Sequence, residues 1–132
     1  MLGTHRAFSR PPQPVKRVIV VEDEPDIRRV IAEALGDEGY DVACAADGAQ
    51  ALRLVRRSPA DVAIVDLMMP ELDGRGFLRE CRADPRFASM QFVVITAISA
   101  SRLNGLEPDV TVLTKPFDLN DLVATVATLA AA

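Results

Sequence analysis

Four short β-branched apolar runs, each closed by a residue able to do metal or phosphate chemistry, constrain this chain more than any other feature. Val18-Ile19-Val20-Val21 leads into Glu22-Asp23, and Val62-Ala63-Ile64-Val65 leads into Asp66. Phe92-Val93-Val94-Ile95 leads into Thr96, and Val110-Thr111-Val112-Leu113-Thr114 leads into Lys115-Pro116. Runs this short and this apolar, with helical segments between them, read as parallel strands buried on both faces. In an open parallel sheet the carboxyl ends of all strands share one edge, and ligands bind there. The pattern therefore gathers three carboxylates, a hydroxyl and an ammonium at one place.

The intervening segments support that reading. Pro25 suits a first helical turn, and Ile27, Val30, Ile31, Ala34 and Leu35 repeat with the spacing of one helical face. Asp41-Val42-Ala43-Cys44-Ala45 reads as a second strand, and Gly48 to Arg57 as a helix with Ala51, Leu52 and Val55 inward. A loop through Pro70 and Gly74 follows the third strand, then a helix marked by Phe77, Leu78 and Cys81 and stopped by Asp84-Pro85. Residues 97–109 hold few large apolar anchors and include Gly105 and Pro108, so a helix there is expected to be at most about two turns long. Asp118 is a suitable N-cap for a last helix with Leu119, Leu122, Val123, Val126 and Leu129 inward. Strands and helices in alternation predict a doubly wound α/β fold, with a five-stranded parallel sheet in the order 2-1-3-4-5. That order makes Glu22, Asp23 and Asp66 neighbours.

Composition narrows the rest. At 132 residues and 49% apolar content the chain suits one globular domain over 17–132, behind a Pro-containing leader over 1–16 that is expected to be flexible. The net charge of −4 gives no overall electrostatic reason to expect nucleic-acid binding. No apolar stretch is long enough to span a bilayer, so no membrane association is expected and a cytoplasmic location is. Cys44 and Cys81 are expected to be buried, reduced thiols, and His5 lies in the polar leader without a metal-binding companion.

Carboxylates about 4 Å apart repel by roughly 4 kcal/mol at a protein surface, so such a cluster raises a pKa or recruits a cation. Oxygen ligands from one or two carboxylates, completed by water, suit Mg²⁺. Taken singly, each residue has a plainer explanation. Glu22-Asp23-Glu24 could favour a helix start, Asp66 could cap a loop, Thr96 could simply suit a strand, and Lys115 could be a solvated lysine. Their conjunction, each at the end of a different strand, points instead to a receptacle for a phosphoryl group with an aspartate as nucleophile.

The chain resembles the receiver domains of response regulators in bacterial two-component signalling from about Val18 to its end. The resemblance is carried by Val-Glu-Asp-Glu-Pro at 21–25 and Val-Asp-Leu-Met-Met-Pro-Glu-Leu-Asp-Gly at 65–74. Ile-Thr-Ala at 95–97 and Thr-Lys-Pro-Phe at 114–117 complete it. It implies that Asp66 accepts the phosphoryl group. It also implies that Mg²⁺ is held by Asp23, Asp66 and the backbone carbonyl of Met68, with Glu22 nearby or acting through water. Thr96 and Lys115 would hold the phosphoryl oxygens, and the Lys115–Pro116 peptide is similar to one often cis in the family. The donor would be a phosphohistidine on a sensor histidine kinase or a histidine phosphotransfer domain. Partner docking would fall on Ile27, Pro116 and Phe117, although Ile27 could equally be core packing. The protein would accept a phosphoryl group and signal to a partner without turning over an external substrate, and so is not expected to be an enzyme.

Departures from the family pattern carry their own expectations. Val112 stands where the family usually has a switch aromatic, three positions before the lysine, so chemistry should survive while signalling through Thr96 and strand 5 is altered. The abbreviated segment between Thr96 and Lys115 implies a shortened fourth helix, and output through a changed surface there. Met68 and Ile98 are apolar where family side chains influence attack by water, which implies slow loss of the phosphoryl group. Other readings are an interaction module that is never phosphorylated, an aspartyl-phosphate phosphatase or phosphotransferase, and a flavin-binding domain. The phosphatase reading lacks a second aspartate two positions after the nucleophile, since Met68 occupies it. The flavin reading lacks a phosphate-cradling loop after the first strand, where this chain has acids.

Overall fold

The computed structural model describes residues 14–67, 74–97 and 110–131. Within them the chain runs β1 (Arg17–Val21), α1 (Pro25–Asp37), β2 (Asp41–Ala45), α2 (Gly48–Arg57) and β3 (Val62–Asp66). It continues through α3 (Gly74–Arg82), a single 3₁₀ turn at Pro85–Phe87, β4 (Gln91–Thr96), β5 (Thr111–Thr114) and α4 (Leu119–Ala130). The sheet has five strands in the order β2-β1-β3-β4-β5, and every pairing is parallel. Fold class and strand order are those the sequence predicts. The expected short helix between Thr96 and Lys115 falls mostly on 98–109, outside the described residues.

Alternation along the strands explains why both faces need cover. Val18 and Val20, with Val62, Ile64, Val93 and Ile95, pack with Ile31 and Leu35 of α1 and with Leu122 and Val126 of α4. Ile19 and Val21, with Ala63, Val65 and Phe92, pack with Leu52 and Val55 of α2 and with Phe77, Leu78 and Cys81 of α3. Central β3 is buried along its whole length, whereas edge strand β2 is mostly not. Each large apolar side chain removed from water in these layers contributes about 1.5–3 kcal/mol, which is why the helices are held to the sheet.

The helix ends follow from local chemistry. Asp47 accepts from the Gln50 N–H at 2.8 Å while Gln50 Oε1 accepts from the Ala46 N–H at 2.7 Å, a reciprocal cap that starts α2. Asp118 accepts from the Asn120 N–H at 2.7 Å and caps α4, as its position in the sequence predicts. Gly39, with φ of +95°, lets the chain turn out of α1 toward β2.

Two details differ from the sequence reading. Helix α3 already begins at Gly74, which the composition alone assigned to the preceding loop. Cys44 is exposed rather than buried, while Cys81 is buried as expected. Cys44 lies on the edge strand, in an open groove beside Arg28, Arg29 and Glu33 of α1, and among the described residues no second strand covers that side. Among the described residues, no helix is long and apolar enough to cross a membrane.

Candidate functional site

The parallel register brings the run-ending residues together. Val21 is paired with Val65, Asp66 with Ile95, and Thr96 with Thr114. Glu22, Asp66, Thr96 and Lys115 thus follow the last paired positions of adjacent strands or occupy them. Thr96 is completely buried, and so is Glu22, while Asp66 is 4% exposed; such burial is unusual for the two carboxylates and a sign that each has a specific partner. Two backbone bonds hold this rim: Lys115 N–H donates to the Thr96 carbonyl at 2.7 Å, and Leu67 N–H donates to the Ile95 carbonyl at 3.3 Å. The Lys115–Pro116 peptide is cis.

One carboxylate oxygen from each of Glu22, Asp23 and Asp66 can be chosen so that all three lie within 4.8 Å of one another. Lys115 Nζ lies 3.0 Å from Glu22 Oε1 and donates a hydrogen bond to Asp66 Oδ2 at 3.2 Å. Glu22 Oε2 accepts the Glu24 N–H at 3.1 Å. Glu22 Oε1, although close to the Lys115 ammonium, is not aligned to accept a hydrogen bond from it and is left without a hydrogen-bond partner. Burial pushes the Glu22 carboxyl up to about 7, and the charge of Asp66 adds to this, against the opposing pull of the Glu24 N–H and Lys115. Burial alone would lower the Lys115 ammonium, but its hydrogen bond to Asp66 and the negative charges of Glu22 and Asp66 beside it outweigh that and raise it.

These observations fit a divalent cation. A buried carboxylate oxygen lacking a hydrogen bond, two further carboxylates within reach and an all-oxygen donor set are what a hard ion such as Mg²⁺ requires. Met68, whose carbonyl the family resemblance offers as a further ligand, lies outside the described residues, as does Ile98. Val112 is half-buried in β5 and pairs with Val94, two positions back from the rim.

Ile27, Pro116 and Phe117 are brought together, with Val30 and Leu119, as the lining of an open groove of ≈ 530 Å³ beside Lys115. Ile27 also packs against the core between the sheet and helices α1 and α4, so the core-packing reading of this residue is the one observed.

Two contributors escape a reading of the sequence. A Cβ on Gly74 would collide with the Asp66 carbonyl oxygen and lie 2.6 Å from Leu67 Cα, so only glycine lets α3 start against the backbone of Asp66. The Asp73-Gly74 pair was visible in the motif, but not what it touches. Arg28 Nη1 donates to the Glu22 carbonyl at 2.8 Å, a contact across six positions that carries no local sequence signal.

A doubly wound parallel sheet in this strand order, with three acids and a lysine at its carboxyl edge, defines an α/β protein of the flavodoxin-like class. Residues 18–127 match the response regulator receiver domain family, and the chain belongs to it. It is 36% identical over 112 residues to the response regulator receiver protein CpdR of Brucella abortus, covering 83% of this chain and 92% of that protein. It is 37% identical over 112 residues to the probable transcriptional regulator ycf27 of Porphyridium aerugineum, covering 83% of this chain but 45% of that protein. The chain thus spans less than half the length of that relative. The receiver domain of the Francisella response regulator 1452 superimposes with a TM-score of 0.79 at 29% identity, over 88% of this chain and 97% of that one.

Proposed function

We propose that Asp66 accepts a phosphoryl group from a phosphohistidine on a sensor histidine kinase or a histidine phosphotransfer domain, in a Mg²⁺-dependent reaction. A carboxylate oxygen of Asp66 forms the new O–P bond as the P–N bond breaks, and its electron pair returns to the imidazole. Asp23 and Asp66, with Glu22 nearby or acting through water and, by the family resemblance, the Met68 carbonyl, would hold the ion, which would neutralise charge on the transferring oxygens. Lys115 places a second positive charge there, and the Thr96 hydroxyl can donate to a phosphoryl oxygen. The sheet edge excludes water from Glu22 and Thr96, which strengthens these interactions.

The reading rests on the convergence of three carboxylates within 4.8 Å of one another with Lys115 Nζ at 3.2 Å from Asp66. The apolar groove at Ile27, Pro116 and Phe117 adjoins Lys115, and in this reading the phosphodonor protein docks there. The domain then changes conformation and signals to a downstream partner in the cytoplasm, turning over no external substrate. Intact-protein mass spectrometry after incubation with Mg²⁺ and acetyl phosphate tests the assignment. Wild type should gain a single phosphoryl adduct and Asp66→Asn none; an adduct of equal yield on Asp66→Asn would place the chemistry elsewhere.

A further inference from the structure

The turn carrying the acids is held in an unusual way. Between the end of β1 at Val21 and the start of α1 at Pro25 lie Glu22, Asp23 and Glu24, with Asp26 just beyond. Four carboxylates in five positions repel one another and favour opening of the turn. The usual restraint at such a place is missing, because the N-cap residue Glu24 makes no side-chain capping bond and Pro25 has no N–H to offer.

Glu22 is instead held by three hydrogen bonds. Its N–H donates to the Ala45 carbonyl of β2 at 3.0 Å, and its Oε2 accepts the Glu24 N–H at 3.1 Å. Its carbonyl accepts from Arg28 Nη1 at 2.8 Å. Arg28 comes from the second turn of α1 and lines the open groove with Val42 and Cys44 of β2, so its side chain links the helix, the edge strand and the acidic turn.

We infer that Arg28 is a positioning residue for the cation site: by gripping the Glu22 carbonyl it sets the direction in which Asp23 presents its carboxylate. The physical link is the planarity of the peptide bond. The Glu22 carbonyl and the Asp23 nitrogen and Cα lie in one plane, so fixing the carbonyl fixes the orientation of the plane from which Asp23 projects. The guanidinium also places a positive charge across a turn of like-charged acids, opposing their mutual repulsion before a cation arrives. The side-chain bond of Arg28 goes to the Glu22 backbone and not to a carboxylate of the cluster. It acts through Glu22 and Asp23, as partners behind metal ligands generally do.

This inference rests on the proposed Mg²⁺ site, and one set of measurements separates the two. Isothermal titration with Mg²⁺ alone is carried out on wild type, Arg28→Met, Arg28→Lys and Arg29→Met. Arg28→Met keeps the apolar stem over the groove and loses the donors, and should bind Mg²⁺ about ten-fold more weakly. Arg28→Lys, with one donor group on a flexible stem, should recover part of that loss. Arg29 bonds only Asp26 among the described residues, at 3.3 Å on the exposed side of α1, and Arg29→Met should bind as wild type does. At saturating Mg²⁺ the phosphorylation rate of Arg28→Met should return to the wild-type value, which a general loss of structure would not allow. Equal affinity in wild type and Arg28→Met, or an equal loss in Arg29→Met, overturns the inference while leaving the site intact. If Arg28→Met does not fold, Arg28→Lys decides, and wild-type affinity in it overturns the inference. Wild type that binds no Mg²⁺ overturns the site itself, and the inference with it.

Discussion

The ammonium of Lys115 stands 3.0 Å from Oε1 of the wholly buried Glu22, joining the end of β5 to the end of β1 across β3 and β4. One cation therefore serves two acids, since it also bonds Asp66 at 3.2 Å. Lys115→Met should slow phosphoryl acceptance about a hundred-fold by removing charge from the transferring oxygens. It should also cost about 1–3 kcal/mol of stability, because Glu22 loses the charge that offsets its burial. A time course of adduct formation and a urea titration measure the two effects separately.

The contact between Gly74 and the Asp66 backbone yields a second prediction. Gly74→Ala forces α3 away from the end of β3, where the added methyl would meet the Asp66 carbonyl and Leu67 Cα. Backbone cannot move aside as a flexible side chain can, so a loss of about 1–3 kcal/mol is expected in urea unfolding. Phosphoryl acceptance should fall with it, because the displaced carbonyl belongs to Asp66, the proposed phosphoacceptor.

The two cysteines should be distinguishable by reagent. Cys44 is exposed and should react with a thiol reagent in the native protein, whereas Cys81 is buried and should react only on unfolding. Burial pushes the Cys81 thiol up to about 12, well above its ordinary value near 9. Between those values the unfolded chain ionises this thiol and the folded one does not. The unfolded state then binds fewer protons, so stability should decline as pH rises above about 9. Replacing Cys81 with serine or alanine should remove that part of the decline in alkaline unfolding curves.

Val112 gives a prediction about what the site does not need. It is half-buried and pairs with Val94, away from the acids. Val112→Ala should cost about 1 kcal/mol through lost packing and leave phosphoryl acceptance at the wild-type rate. A large loss of adduct in this variant would mean that strand 5 takes part in the chemistry itself.

Much of this molecule is written in short stretches of sequence. The apolar runs ending in Glu22-Asp23, Asp66, Thr96 and Lys115 specify strands and the residues at their ends, because burial on both faces of a parallel sheet demands such runs. Asp118 and Pro25 mark helix starts through hydrogen-bonding chemistry confined to one turn. Of the two strand orders common for such alternation, 2-1-3-4-5 suits five strands and gathers the acids, and the family motifs point to the candidate site.

Tertiary structure alone decided the rest, since it depends on which surfaces meet. Cys44 sits in a run that reads as buried, but whether a strand lies at an edge is not encoded in its own residues. The missing hydrogen bond of Glu22 Oε1, the grip of Arg28 on the Glu22 carbonyl and the pressure of Gly74 on Asp66 all arise where different elements of the fold meet. Periodicity fixes which face of an element is apolar; the distances at which catalytic groups stand are fixed only when several elements pack at once.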